Sequence, residues 1–206
     1  MVANKPSGLL VHRGWANDDD VALFRVRDAI GAHVYPVHRL DRGTSGALVF
    51  ARTPEVAAAL SQSFQSRTVD KRYLALVRGV PAESGTIDHP IPQGEDGPRV
   101  PAVTRFKLVA RSHVDRCALV LAMPETGRSH QIRRHLKHIG HPLVGDVNYG
   151  RGDINRHYRA TYGLHRLALH ATSIAFTHPV TGAGVEVEAP MPDDLATPLT
   201  KLGLAS

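Results

Sequence analysis

One carboxylate in this sequence sits where chemistry could be done. Asp41 lies in His38-Arg39-Leu40-Asp41-Arg42-Gly43-Thr44-Ser45-Gly46, between the short apolar runs Val34-Tyr35-Pro36-Val37 and Ala47-Leu48-Val49-Phe50-Ala51. The runs read as buried strands and the polar stretch as the loop that joins them. A cation beside a carboxylate favours the ionised form, and arginines stand at 39 and 42. The two glycines permit a tight turn and the close approach of a ligand or another backbone. A positioned carboxylate among small residues is a candidate nucleophile or general base. The competing reading is a structural aspartate in a salt-bridged turn, the commoner case for an aspartate taken alone.

Two further stretches combine reactive side chains with a clear periodicity. In Lys71-Arg72-Tyr73-Leu74-Ala75-Leu76-Val77-Arg78-Gly79, Tyr73, Ala75 and Val77 share one face of a strand. In Thr126-Gly127-Arg128-Ser129-His130-Gln131-Ile132-Arg133-Arg134-His135-Leu136, a helix is expected. Its Ile132, Leu136 and Ile139 would bury one side, and His130, Arg134, Lys137 and His141 would line another. Gly127 is read as the turn into that helix, with Arg128 at its mouth.

The elements that must hold these residues follow from pattern and punctuation. A short helix is expected after Asp18-Asp19-Asp20, which are read as capping and solvation, and Gly31 ends it. Thr53-Pro54 starts a second helix, packed through Val56, Leu60 and Phe64. Residues 84–101, rich in Pro and Gly, read as a surface loop. Residues 103–110 and 117–122 read as antiparallel strands. Residues 151–162 read as a basic loop. A strand ending at Phe176 pairs back with residues 185–188, and Pro192 opens a last helix. Trp15 is read as a half-buried anchor in preference to a base-stacking ring.

Taken together, the Asp41 stretch resembles the HRLD-x-x-TSG signature of the RluA family of pseudouridine synthases, which isomerise uridine within RNA. The Tyr73 strand resembles that family's K-x-Y-L-A-L-V-x-G, the Arg128 stretch its TGR-x-HQ-I-R-x-H-L, and residues 141–146 its HP-x-x-GD. Asn4-Lys5-Pro6-Ser7-Gly8-Leu9 resembles its NKPxGL element, in which more strand usually precedes the Asn, so the N-terminal strand looks cut short. The resemblance implies an α+β fold, with a mixed, mainly antiparallel sheet, flanking helices and a central catalytic cleft. It implies that Asp41 acts on the target uridine, as nucleophile or as base, both readings remaining open. Tyr73 would cover the uracil and Arg128 would hold Asp41. Arg39 would fill the place of the flipped-out base. Lys71, His130, Arg133, Arg134 and Lys137 would meet RNA or support the pocket. No cofactor and no metal are implied. His12-Arg13-Gly14-Trp15 and Gly163-Leu164-His165-Arg166-Leu167 further resemble the branch that modifies uridine 65 of tRNA; ribosomal RNA is the alternative substrate.

Composition agrees with an RNA partner. The chain of 206 residues carries a net charge of +6 with a pI near 9.8. Between residues 105 and 170, twelve Lys and Arg face four acids, an excess greater than that of the whole chain. A basic face of this kind suits a phosphate backbone. The lone Cys117 rules out an internal disulfide or a cysteine zinc site. His135, His138 and His141 have a spacing that zinc could use, but without a glutamate among them. The remaining alternatives are an inactive RNA-binding relative and a histidine metallohydrolase. A single catalytic domain over residues 1–206 is expected, without a separate RNA-binding module. The expectation is a monomer in the cytoplasm, with no membrane segment and no protein partner.

Overall fold

A computed structural model describes residues 1–13, 18–94 and 97–204. Trp15 and the Glu95-Asp96 centre of the expected surface loop lie outside the described residues. In chain order the elements are β1 (Val2–Lys5), α1 (Ala22–Ile30), β2 (Tyr35–Pro36), β3 (Ser45–Ala51), α2 (Pro54–Gln65), β4 (Asp70–Arg78), β5 (Ser84–Asp88), β6 (Ile91–Pro92), β7 (Arg99–Val100), β8 (Val103–Arg111), β9 (Cys117–Pro124), α3 (Gln131–His138), α4 (Gly152–Tyr162), β10 (Leu169–Thr177), β11 (Gly184–Glu188) and α5 (Asp193–Lys201). The fold is α+β, with pairing that is mainly antiparallel. The chain forms two compact units, Met1–Lys71 with Ala171–Pro190, and Arg72–His170 with Met191–Ser206. Among the described residues no helix is long and apolar enough to cross a membrane.

The first unit is built around β3. All seven of its residues are buried, and it lies between β1 and β10, with β11 paired to β10. Ala47, Val49 and Ala51 pack with Leu60 of α2 and with Ile174 and Phe176 of β10. Gly46 makes this layer possible. Its φ is 113°, and a Cβ there would stand 2.2 Å from the Ala171 carbonyl oxygen. Thr53 caps α2 by accepting the Val56 N–H, with Pro54 in the first turn, as the sequence indicates. The acid run before α1 behaves otherwise. Among the described residues no side chain caps that helix, and no acid lies in its first turn. Asp18 pairs with Arg42, Asp19 with Arg13 and Asp20 with Arg25. The run answers nearby guanidinium groups instead of the helix dipole.

The second unit has the strand order β4-β9-β8-β5. Side chains alternate across β4 and β9, so the sheet has a core on each face. Ala75, Val77, Val120 and Ala122 meet Ile132 and Leu136 of α3, with Tyr73 packed against the same cluster. Leu76, Cys117 and Leu119 meet Tyr158 and Tyr162 of α4 and Leu195 and Leu199 of α5. Each fully buried leucine or isoleucine here stabilises the fold by ~2 kcal/mol.

Two expectations are corrected in this unit. Residues 84–101 are not one loop: β5 pairs with β8 through Ser84↔Lys107 to Asp88↔Val103, and β6 and β7 form a small ladder. Buried Ile87 and Ile91 supply the inward positions that a Pro- and Gly-rich composition obscures. Residues 152–162 are helical, not loop-like. Ile154, Tyr158 and Tyr162 recur at helical spacing and pack on the second core. The Tyr162 hydroxyl also donates to Asp115 Oδ2 at 3.1 Å, and His157 Nε2 lies 2.9 Å from the same oxygen.

Candidate active site

Asp41 sits on the segment between β2 and β3 in the first unit and is half-buried. Its neighbour Leu40 is buried and anchors the loop, whereas Arg39 is exposed. Behind Asp41 the backbone is held by the N-terminal segment. Lys5 is only 2% exposed, and its ammonium donates to the carbonyls of Pro6 (2.9 Å), Leu9 (2.7 Å) and Arg42 (3.2 Å). Gly8 N–H also donates to the Arg42 carbonyl, and the Ser7 hydroxyl donates to that of Gly43. Thr44 N–H closes the turn on the Asp41 carbonyl at 3.0 Å. A buried ammonium is tolerated only when it is bonded in this way. Lys5 therefore has a role beyond ending β1, and no local sequence signal distinguished it.

Of the two arginines beside Asp41, Arg42 is engaged bidentately by Asp18, with both contacts at 2.8 Å. His38 accepts the Val49 N–H through Nε2 at 3.0 Å and stacks on Phe64. Burial, with the charge of Lys71 adding to it, holds its pKa down at about 3. Lys71 is half-buried, and desolvation lowers its pKa below the ordinary lysine value, with Asp70 opposing and Arg67 reinforcing the shift.

Tyr73 lies in β4 of the second unit, opposite Ala122 of β9, half-buried against the first core of that unit. Arg128 is exposed, on the turn between β9 and α3, and its Nε donates to the Pro101 carbonyl at 3.2 Å. This turn is held by Gln131, which is 4% exposed. Its Oε1 accepts from the Thr126 hydroxyl (2.7 Å) and from Arg128 N–H (2.9 Å). Its amide donates to the Val103 carbonyl (2.9 Å) and to Thr104 Oγ1 (3.0 Å). Both ends of one side chain thus fix the backbone that carries Arg128. The left-handed residue of the turn is His130, with φ 54°, and not Gly127. A non-glycine residue is uncommon in that region.

The expected RNA-facing residues separate. Arg133 is 7% exposed and grips buried Asp146 bidentately at 2.7 and 2.8 Å, inside the unit and not at the surface. Asp146 also accepts the N–H groups of Asn148 and Tyr149. Burial raises its pKa, but the bonds from Arg133 and the backbone outweigh it, and the net shift is downward. Arg134 and Lys137 are half-buried and exposed respectively, and neither forms an ion pair among the described residues. His135 is fully buried. Its Nε2–H donates to the His89 carbonyl, so Nδ1 accepts from the Thr104 hydroxyl, both at 2.9 Å. His138 stacks on His89, and His141 Nδ1 lies 2.9 Å from the Arg78 carbonyl. The three histidines of the metal-like spacing are thus each engaged differently, by the His89 carbonyl and Thr104, by the His89 ring and by the Arg78 carbonyl. Asp146, Gln131 and Tyr149 were not singled out as functional from sequence, although the first two fall inside motifs that were.

The comparisons agree with the signatures. The pattern of the RNA pseudouridylate synthase family matches residues 1–138. The chain is 41% identical over 203 residues to "tRNA pseudouridine synthase C" of Pasteurella multocida, covering 88% of this chain and 83% of that protein. It is 41% identical over 206 residues to the protein of the same name from Haemophilus ducreyi, covering 90% and 85%. Of solved structures, human RNA pseudouridylate synthase domain containing 4 aligns with a TM-score of 0.78 at 27% identity, covering 98% of this chain and 89% of that one. Human RNA pseudouridylate synthase domain containing 1 gives a TM-score of 0.76 at 29% identity, covering 96% and 82%. Similarity at this level, over a family pattern that contains both the Asp41 loop and the Arg128 turn, makes the chain a member of the RluA-type RNA pseudouridylate synthase family, isomerases that act on RNA.

Proposed function

We propose that this protein converts uridine to pseudouridine in tRNA, at position 65. The observation that carries the substrate is the 41% identity, over about nine-tenths of the chain, to relatives named tRNA pseudouridine synthase C. In the proposed reaction the bond from uracil N1 to the sugar breaks, the base turns, and a bond forms from C5 to the same sugar carbon. C5 loses a proton and N1 gains one, so the product is an isomer and no redox partner is needed. By the family resemblance Asp41 acts at the target uridine, Tyr73 serves the uracil, and Arg128 supports the reaction electrostatically. Arg39, exposed on the same loop as Asp41, takes the place of the flipped base. The protein works as a cytoplasmic monomer, without metal, cofactor or protein partner.

Release of tritium from tRNA transcribed with C5-tritiated uridine tests this reading, with EDTA present throughout. Wild type is expected to release tritium, and mapping of the product should place the modified base at position 65. Asp41→Asn should release none while binding tRNA within about threefold of wild type, because a neutral isostere keeps the loop but removes the reacting charge. Tritium release by Asp41→Asn at the wild-type rate would remove Asp41 from the chemistry. Release from ribosomal RNA alone would move the substrate.

A further inference from the structure

Four residues that the family resemblance assigns to RNA or to the pocket, His130, Arg133, Arg134 and Lys137, converge in the second unit on one ring that the sequence did not single out. Tyr149 follows the Asp146 turn. Its hydroxyl accepts from Arg134 Nε at 2.7 Å, which leaves its own proton to face His130 Nδ1 at 3.0 Å. The guanidinium carbons of Arg133 and Arg134 lie 5.0 and 5.5 Å from its ring centre, and Lys137 Nζ lies at 5.7 Å. The His130 ring meets it edge-on at 5.6 Å. Tyr149 is itself placed by the buried pair beneath it, since its backbone N–H donates to Asp146 Oδ1 at 3.0 Å.

The charges around this ring are unbalanced. Asp146 is already committed to Arg133, and no carboxylate pairs with Arg134 or Lys137 among the described residues. Holding like charges together without counter-ions is costly unless an anion relieves them. Arg134 is also held at two points, by Tyr149 and by the Pro92 carbonyl at 3.2 Å. Among the described residues three of its five N–H bonds have no acceptor, in a plane that the other two fix. His130 keeps a left-handed backbone although it is not glycine, a strain of order 1 kcal/mol that the Tyr149 contact helps to hold. A prepaid geometry with spare donors suits a ligand, not a fold.

We infer that Tyr149 is a positioning residue for RNA binding, setting Arg134, with His130 and Lys137 beside it, as a preformed clamp for a phosphate of the RNA backbone. The inference rests on the RNA-modifying reading above and adds to it a residue and a contact. Tyr149 acts through Arg134 and does not itself meet the RNA.

The test measures tRNA binding across a salt series, together with steady-state tritium release, for wild type, Tyr149→Phe, Arg134→Ala, Arg134→Lys and the double variant Tyr149→Phe/Arg134→Ala. Tyr149→Phe keeps the ring and removes only the hydroxyl. It should raise KM about fivefold, the effect of one hydrogen bond, with a much smaller change in kcat. Arg134→Ala should weaken binding about tenfold and reduce the salt slope by about 1. Arg134→Lys keeps the charge but cannot span Tyr149 and Pro92, so it should behave like Tyr149→Phe. In the double variant the hydroxyl should no longer matter, and its binding should equal that of Arg134→Ala. Additive losses would mean that Tyr149 does not act through Arg134, and would overturn the inference. So would wild-type binding by Tyr149→Phe or, should that variant fail to fold, by Arg134→Lys. A wild type that binds tRNA with this pattern yet releases no tritium would sink the catalytic reading and leave the clamp standing. Normal tritium release with an indifferent Tyr149 would do the reverse.

Discussion

Adjacent arginines on α3 differ in what surrounds them, and that difference decides what each is for. Arg133 and Arg134 look alike in the sequence, but Arg133 is sealed against Asp146 and Arg134 spans a tyrosine hydroxyl and a carbonyl with donors to spare. Removing one partner of a buried ion pair leaves the other charge stranded, at a cost of about 3–5 kcal/mol. Arg133→Ala is therefore expected to lower the urea midpoint sharply, and to lose RNA binding only because less protein is folded. Arg134→Ala should change stability by less than about 1 kcal/mol and should weaken binding of protein that is fully folded. Urea titrations of both variants beside tRNA binding at saturating folded fraction check this. Equal stability of the two would contradict the buried pair. The same logic applies behind Asp41, where Lys5 satisfies three carbonyls of the segments that present the loop.

At the scale of elements, two signature glycines carry unequal structural weight. Gly46, the second residue of β3, has a positive φ and has the Ala171 backbone against it. Gly127 has open space around the position of a Cβ and no positive φ. Gly46→Ala should therefore disrupt the layering of β3 and β10, with a loss of several kcal/mol. Gly127→Ala should change the melting temperature by no more than a degree or two. A Gly46→Ala protein that melts with wild type would show that the strands can part without cost. Most elements were legible because their signals are local. Thr53-Pro54 writes its own cap, and the alternation of Tyr73, Ala75 and Val77 writes a strand with two different faces. What escaped notice depends on distant partners. The stripe of α4 is built from two tyrosines in a basic stretch, whose burial exists only once β9 and α5 cover them. β5 needs β8 to be a strand at all. The candidate residues Asp41, Tyr73 and Arg128 stand out through their motifs, but Lys5, Gln131 and Tyr149 do not, because hydrogen bonds across long sequence separations leave no periodicity.

At the scale of the whole molecule, an excess of basic groups coexists with histidines that the fold keeps neutral, and this sets the response to acid. His38 in the first unit is held near a pKa of about 3, and burial lowers that of His135 in the second, outweighing the opposing effect of its bond to the His89 carbonyl. An unfolded histidine takes up its proton near pH 6.5. Between there and the folded value the unfolded chain binds more protons, so stability must fall as the pH is lowered, by up to ~1.4 kcal/mol per pH unit for each such group. Asp146 acts later in the same direction. Its folded pKa lies below the ordinary 3.8, so the stability it contributes is lost only as the pH falls through that lower value. Thermal unfolding from pH 7.5 to 4.5 should therefore show a steadily falling midpoint for wild type, beginning near pH 6.5. His38→Gln keeps an acceptor for Val49 N–H but has no proton to take up. It should lose some stability at neutral pH through poorer stacking on Phe64, and then fall less steeply than wild type, so that the two curves converge in acid. Parallel curves would mean that His38 is protonated in the folded protein, and its place as a neutral acceptor at the start of the Asp41 loop would have to be abandoned.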